Sequence, residues 1–420
     1  MEWARFRMYA RRMRELRGDG DLVVLSLDAL SALQLRTINE PLLPNLKTLS
    51  LYCVPGPLVP FIPLFLSLRV TTIRLNFKSG LSGAMIASIV TTIPTLCPNL
   101  QVIDLPLLRR DPMITAAFSK MVLATNQNTL QGFRVGSPLK EEAREVVYKL
   151  PNLRDLLVHV VGETSLPSAS LPNLTKLEIT CDDNGGWLQL FHGATFGKLE
   201  SVVFYDRSKK LGDFLGAFER AAFSSSIQNT LSKFHVFTSC SWNPNYSSLL
   251  SFTQLVRLEV DFPCSDGCSS RVDDDIVTDL SRAMPKLQVL RLGGEPCREL
   301  TVGVTAKGLT TLALHCLDLR YLRIHFQVAS LSVLPASPGI SRSVEPAGSC
   351  VDCALTTLAI GETRVPKESV STVALTLLRI FPHIEWVYSN DRGWGMVWSA
   401  IYASRRIIGC SSKHYPLATC

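Results

Sequence analysis

Apolar residues in this chain return in one phrase of three anchors, the second three residues after the first and the third two residues after that. Four copies are nearly identical and open on the same turn pair: Pro44-Asn45-Leu46 with Leu49 and Leu51, Pro98-Asn99-Leu100 with Ile103 and Leu105, Pro151-Asn152-Leu153 with Leu156 and Val158, and Pro172-Asn173-Leu174 with Leu177 and Ile179. Looser copies fill the rest: Val70/Ile73/Leu75, Leu130/Phe133/Val135, Leu199/Val202/Phe204, Leu231/Phe234/Val236, Leu255/Leu258/Val260, Leu287/Leu290/Leu292, Leu319/Leu322/Ile324 and Leu355/Leu358/Ile360, with a degenerate last copy at Ile384/Val387. A step of two is the period of a strand, so the second and third anchors face one side and the residues between them face the other. The proline ahead of the phrase suits the entering turn, because it fixes φ and gives up only a donor the ladder does not need.

Between the strands the spacing changes to three and four. Gly83 to Ile93 places Met85, Ile86, Ile89, Val90 and Ile93 on one helical stripe, and Glu141–Leu150, Asp273–Met284 and Ser369–Phe381 read the same way. Leu309 to Cys316 is expected on a crossover helix, since the next phrase begins at Leu319. Strands joined by such crossovers run parallel. Successive phrases lie about 21 to 36 residues apart, overlapping and then exceeding the leucine-rich-repeat range. The expected class is therefore α/β: a leucine-rich-repeat solenoid, a curved horseshoe with parallel strands on the concave face and helices on the convex face. One such unit cannot bury its own apolar side, so neighbours must stack.

The ends depart from the rhythm. Trp3, Phe6, Ala10, Met13 and Leu16 form a helical stripe with Arg5, Arg11 and Arg12 off it, which predicts a capping helix over residues 1–20. The irregular array then occupies 21–385, interrupted by a Ser-, Pro- and Gly-rich loop at about 329–353. Trp394, Trp398 and Ile401 at helical spacing predict a C-terminal cap and tail over 386–420. Thr48–Leu68 carries no charge and is long enough to cross a bilayer, but Pro55, Pro57, Pro60 and Pro63 favour a strand followed by a loop and a short helix.

Composition narrows the function classes. A chain of 420 residues with 46% hydrophobic and 19% charged residues folds around a large core, and a net charge of +7 is too small to mark a general nucleic-acid binder. Twelve cysteines are too sparse for a disulfide scaffold, and the arginine-bearing N-terminus has no signal-peptide pattern, so a reducing, cytoplasmic or nuclear setting is expected and the sequons at Asn173 and Asn245 read as chance. Cys264, Cys268, Cys350 and Cys353 together would supply four thiolates to zinc, but the two pairs lie repeats apart, so no metal is expected. Asp273, Asp274 and Asp275 lack calcium-loop spacing and suit a helix start. Phosphate-loop, dinucleotide, zinc-protease and nucleophile-elbow motifs are absent, and seven scattered histidines form no catalytic constellation. The expectation is a non-enzyme with no cofactor, monomeric, with neither nucleic acid nor membrane as partner.

What remains is the outward side of the strands. There the later repeats carry Arg257, Glu259 and Asp261, then Arg291, then Tyr321, Arg323 and His325, and the arginines and the tyrosine belong to the types enriched at protein contacts. These seven are the candidate protein-binding residues.

Three stretches resemble the leucine-rich-repeat region of fungal F-box proteins of the basidiomycete type: Trp3-Ala4-Arg5-Phe6 with Tyr9-Ala10-Arg11, Leu43-Pro44-Asn45-Leu46, and Leu314-His315-Cys316-Leu317-Asp318-Leu319-Arg320-Tyr321-Leu322. The resemblance implies that the repeats capture a protein to be ubiquitinated by a cullin-RING (SCF) ligase. The family's F-box, which grips the Skp-type adaptor, has no counterpart ahead of Trp3, so adaptor binding is expected only if an F-box lies upstream. The alternative is a free-standing interaction scaffold or inhibitor unrelated to ubiquitin.

Overall fold

A computed structural model describes residues 2–19, 26–36, 41–106, 111–161, 169–182, 191, 194–207, 214–224, 227–238, 244–262, 272–293, 303–332, 353–360, 365–389 and 392–408. The chain divides into two compact units, the first Met1–Arg207 with Ala221–Ile227 and the second Ser208–Arg220 with Gln228–Cys420. A helix at Phe214–Ser224 carries residues of both.

Unit 1 is built on a parallel ladder of β1 (Glu15–Asp19), β2 (Thr48–Val54), β3 (Thr72–Phe77), β4 (Val102–Leu105), β5 (Gly132–Val135), β6 (Asp155–Val160), β8 (Lys176–Cys181) and β10 (Ser201–Asp206). The anchors meet in register: Leu49 opposite Ile73, Ile73 opposite Ile103, Ile103 opposite Phe133 and Phe133 opposite Leu156. Each repeat therefore lays its buried row on that of its neighbour, which is how units too small to fold alone share one core. Helices α1 (Glu2–Ala10), α2 (Leu27–Arg36), α3 (Gly83–Leu96), α4 (Pro112–Ala124) and α5 (Glu141–Tyr148) belong to the same unit. Ser82 accepts from the Met85 amide to start α3, and Asp111 with Pro112 at the first helical position starts α4. Ile86, Ile89, Val90 and Ile93 of α3 are buried, as their spacing predicts, whereas Met85, read on the same stripe, is exposed. Beyond β6 a two-stranded parallel sheet, β7 (Ala169–Leu171) with β9 (Ala194–Phe196), takes part in the crossovers.

Unit 2 has β11 (Lys233–Thr238), β12 (Arg257–Asp261), β13 (Val289–Leu292), β14 (Tyr321–Arg323), β15 (Thr357–Ala359) and β16 (Trp386–Tyr388), again parallel and again with anchors in one row: Phe234, Leu258, Leu290, Leu322, Leu358 and Val387. With the helix at Phe214–Ser224 counted as α6, its helices are α7 (Asp274–Ala283), α8 (Ala306–His315), α9 (Val328–Ser332), α10 (Val370–Ile380) and α11 (Arg392–Ile408). Asp273 caps α7 by accepting from Ile276, which is the helix-start role read from the aspartate run. Asp274 reaches the next helix and accepts from the amide and the hydroxyl of Thr305, at 2.7 and 2.5 Å.

Every anchor named from the sequence is buried except Val387, which lies on the terminal strand. Three segments differ from their sequence reading. The N-terminal helix stops at Ala10, and Leu16 joins strand β1 opposite Leu49, where it is half-buried: pairing with the sheet edge outweighs a short, weakly amphipathic stripe. The C-terminal cap expected from 386 begins later: Trp386–Tyr388 form strand β16, on which the degenerate copy at Ile384/Val387 ends, and the last helix starts at Arg392. Of the loop expected at 329–353, residues 329–332 belong to α9 and Cys353 is fully buried, while 333–352 lie outside the described residues, as does the tail from 409. Thr48–Leu68 folds as β2 and a 3-10 helix, Gly56–Phe65, and among the described residues no helix is long and apolar enough to cross a membrane.

Candidate functional site

The alternation of β12 points Leu258 and Val260 into the core and Arg257, Glu259 and Asp261 to the strand face. Register then decides their neighbours. Glu259 stands between His235 of β11 and Arg291 of β13, and Arg291 stands next to Arg323 of β14. The side chains close into one ionic cluster. The Arg257 Nε donates to Glu259 Oε1, the Arg291 Nε lies 2.7 Å from Asp261 Oδ1, and the Arg323 Nη1 lies 4.0 Å from the same oxygen. The His235 ring faces both acids, with Nδ1 3.9 Å from Glu259 Oε2 and Nε2 3.5 Å from Asp261 Oδ2.

Burial sorts these charges into two layers. The Glu259 and Asp261 side chains are 5% and 6% exposed, whereas Arg257, Arg291 and Arg323 are 53%, 31% and 22% exposed. Carboxylates enclosed this far must be paired, and the guanidiniums above them do the pairing. The partly exposed side chains of Arg257 and Arg291 are thereby held in place and lose the freedom that would otherwise oppose binding.

Five of the seven candidates, Arg257, Glu259, Asp261, Arg291 and Arg323, thus form one cluster. Tyr321 lies in the neighbouring row, between Val289 and Thr357, and His325 follows β14 and packs over Gly293. Gly293 has φ +90°, and a Cβ there would come within 3.2 Å of the His325 ring, so the close approach requires glycine. Sequence reading missed His235. Its outward parity two residues after Lys233 was the available signal, but only the ladder shows that it faces Glu259.

His235, Glu259 and Asp261 also bring three ligand-type atoms within 4.8 Å of one another, the one such grouping among the described residues. Their carboxylates already face three guanidiniums, which a divalent cation would have to displace, so the donor set fits arginine better than metal. Of the four cysteines weighed for zinc, Cys264, Cys268 and Cys350 lie outside the described residues, and Cys353 is buried with its Sγ directed at the Cys316 carbonyl. Burial pushes the Cys316 thiol up to about 12 and the Cys97 thiol up to about 11, so both stay protonated and poorly nucleophilic.

Unit 1 carries a second cluster on its strand face, missed in the sequence. Arg134 of β5 lies 2.8 Å from Glu178, 3.2 Å from Asp155 and 3.4 Å from Asp104, and its own side chain is 17% exposed. Burial alone would lower the Arg134 pKa, but Glu178, Asp155 and Asp104 outweigh it and raise it. Burial raises the Asp104 carboxyl despite Arg134 beside it. Nearby, both nitrogens of buried His159 are engaged, Nδ1 with the Gly136 carbonyl at 3.0 Å and Nε2 with Asp182 at 2.5 Å, which ties three strand ends together. Nothing in this arrangement offers a base to a nucleophile.

The in-register ladders, the three-anchor phrase that recurs on the ladder strands from β2 to β15 and the helices between them define an α/β leucine-rich-repeat protein. No protein-family model matches the chain, and no curated protein matches it in sequence. Among solved structures it is similar to an internalin, InlF of Listeria monocytogenes, at 11% identity over 89% of this chain and 93% of that one, with a TM-score of 0.31. The class rests on the ladder and its anchors, not on that likeness.

Proposed function

We propose that this chain is a non-enzymatic protein-binding module that holds its partner on the strand face of unit 2, over Arg257, Arg291, Tyr321, Arg323 and His325, with Glu259 and Asp261 beneath them. The observation that carries this reading is the layered cluster: partly exposed arginines held by enclosed carboxylates. Pre-oriented arginines are frequent centres of protein contacts. We propose further that the captured protein is a substrate of a cullin-RING ligase of the SCF type; the stretches at Trp3–Arg11, Leu43–Leu46 and Leu314–Leu322, which resemble the repeat region of F-box proteins, support this.

A photocrosslinking residue at Tyr321 should trap a partner in cells, while the same residue at Thr311, on helix α8, should not. Crosslinks from Thr311 alone would refute the strand-face assignment. The half-life of the trapped protein should lengthen several-fold when the gene is deleted; an unchanged half-life would leave a scaffold and remove the ubiquitin reading.

A further inference from the structure

One asparagine draws together the cations at the start of unit 1. The Asn45 side chain donates to the Arg11 carbonyl at 2.7 Å, its backbone carbonyl accepts from Arg14 Nη1 at 3.3 Å, and its Oδ1 accepts from Arg69 Nη1 at 2.6 Å. The Lys47 amide donates to the Arg14 carbonyl at 2.7 Å, which sets these two residues side by side at the entries to β2 and β1. Arg12 lies in the turn between Arg11 and Arg14, and Arg5 lies on α1. Adjacent strands are about 4.8 Å apart, so the entries to β1, β2 and β3 span roughly 10 Å. That is close to the Debye length of about 8 Å at physiological salt, and the fields of these cations add.

Nothing in the chain neutralises them. Arg5, Arg11, Arg12, Arg14, Lys47 and Arg69 are exposed, and none of the six pairs with a carboxylate among the described residues. Glu15, next to Arg14 in sequence, is taken by Arg17 at 2.6 Å.

Apolar side chains are interleaved with the charges. On α1, Ala10 is buried and the half-buried rings of Trp3 and Phe6 stack at 5.1 Å, which turns Ala4, Arg5, Met8 and Tyr9 to solvent on the opposite side. Met13 precedes Arg14 and Leu68 precedes Arg69, and both are exposed. The outward side of a surface helix is ordinarily polar, and here it offers a methionine and a tyrosine beside an arginine.

Charge sets the sign of the partner and apolar content sets its class. Unpaired cations gathered in one region call for a polyanion. A nucleic acid held by stacking needs free aromatic faces, but Trp3 and Phe6 are occupied by each other, and a phosphate backbone has no place for Met8, Met13 or Leu68. An anionic bilayer matches both features: its headgroups meet several cations at once without a fixed register, and its acyl boundary takes the apolar side chains. A chain with no crossing helix among its described residues can lie against a bilayer in this way.

We propose that the first repeats of unit 1 dock on an anionic lipid surface, with the six cations against the headgroups and Met8, Met13 and Leu68 entering the boundary. The proposal does not depend on the strand face of unit 2.

The test is cosedimentation of the full chain with vesicles of phosphatidylcholine and phosphatidylserine in a two-to-one ratio. The chain should pellet with these vesicles, remain in the supernatant with phosphatidylcholine alone, and be released as salt rises. Arg5→Gln, Arg12→Gln and Lys47→Gln together remove three charges that make no side-chain hydrogen bond, so the triple variant should bind at least twentyfold more weakly with an unchanged far-ultraviolet circular dichroism spectrum. Met8→Ser with Met13→Ser should weaken binding about threefold. Lys307→Gln, on α8, should change nothing. Equal pelleting with neutral vesicles, full binding by the triple variant, no loss from the methionine variant, or a loss from Lys307→Gln as large as that of the triple variant would each overturn the proposal. Binding to a twenty-base-pair DNA duplex without binding to the anionic vesicles would overturn it as well.

Discussion

The two units use the same ladder and place opposite charges at the centre of their strand faces. In unit 1 a single enclosed cation, Arg134, is surrounded by Asp104, Asp155 and Glu178; in unit 2 two enclosed anions, Glu259 and Asp261, are surrounded by Arg257, Arg291 and Arg323. Enclosure makes the central group indispensable and leaves the rim free to do something else. The rim of unit 2 is made of long, forked, partly exposed cations, whereas in unit 1 the carboxylates are held on their own arginine and Glu178, at 10% exposed, lies deeper than Arg134 at 17%. The first arrangement presents a surface to a partner, and the second closes on itself.

Removing the centres should have the largest effect. Arg134→Met leaves three carboxylates facing one another, and Asp261→Ala leaves Arg291 without its close partner; each should cost about 3 kcal/mol in urea denaturation. Arg257→Gln takes the close partner from enclosed Glu259 but leaves it His235 and Arg291 at 3.9 and 4.0 Å, so it should cost less, about 1 to 2 kcal/mol. Equal losses at centre and rim would dissolve the distinction.

The entering turns sharpen the comparison next. In unit 1 the asparagine of the Pro-Asn pair donates to the turn before it: Asn45 to the Arg11 carbonyl at 2.7 Å, Asn152 to Asn128 at 2.8 Å and Asn173 to Pro151 at 2.9 Å. In unit 2 two of the matching positions are Gln254 and Lys286, which bond to each other through their side chains at 2.7 Å. Asn152→Ala and Asn173→Ala should each cost about 1 kcal/mol, and Gln254→Ala close to nothing, in the same denaturation experiment.

Smaller still is a pH effect confined to unit 1. The Asp104 carboxyl is raised from its ordinary value of 3.8, chiefly by burial, so the fold favours its protonated form. That contribution is fully present below pH 3.8 and is lost as pH rises through the raised value. Asp104→Asn should therefore match or slightly exceed the wild type at neutral pH, and its advantage should fade as the solution is acidified. An advantage that grows toward low pH would reverse the sign. The smallest expected change is at Cys53, which has φ 53° at a register shift in β2: Cys53→Gly should stabilise by about 0.5 kcal/mol, since glycine alone adopts that conformation without strain.

These contrasts also explain what could be read in advance. The strand anchors were legible because burial imposes a period of two on every copy, and Leu309 and Leu312 fell on α8 because no strand fits so close to Leu319. Arg257, Glu259, Asp261, Arg291 and Arg323 were legible as outward residues for the same reason. Which of them are enclosed was not, because parity assigns a face and not a depth. Arg134 was passed over because its partners Asp104, Asp155 and Glu178 come from three other strands, and only register unites them. The role of the asparagine was hidden in the same way: the Pro-Asn pair announces a turn, but its acceptor belongs to the preceding repeat.

Arginine footprinting with phenylglyoxal, read by mass spectrometry, tests the central claim most directly. In the free chain Arg257 should react fastest, Arg291 and Arg323 more slowly, and Arg134 hardly at all. With the partner bound, Arg257, Arg291 and Arg323 should all become protected and Arg134 should be unchanged. A partner complex that leaves those three arginines as reactive as in the free chain would contradict the account.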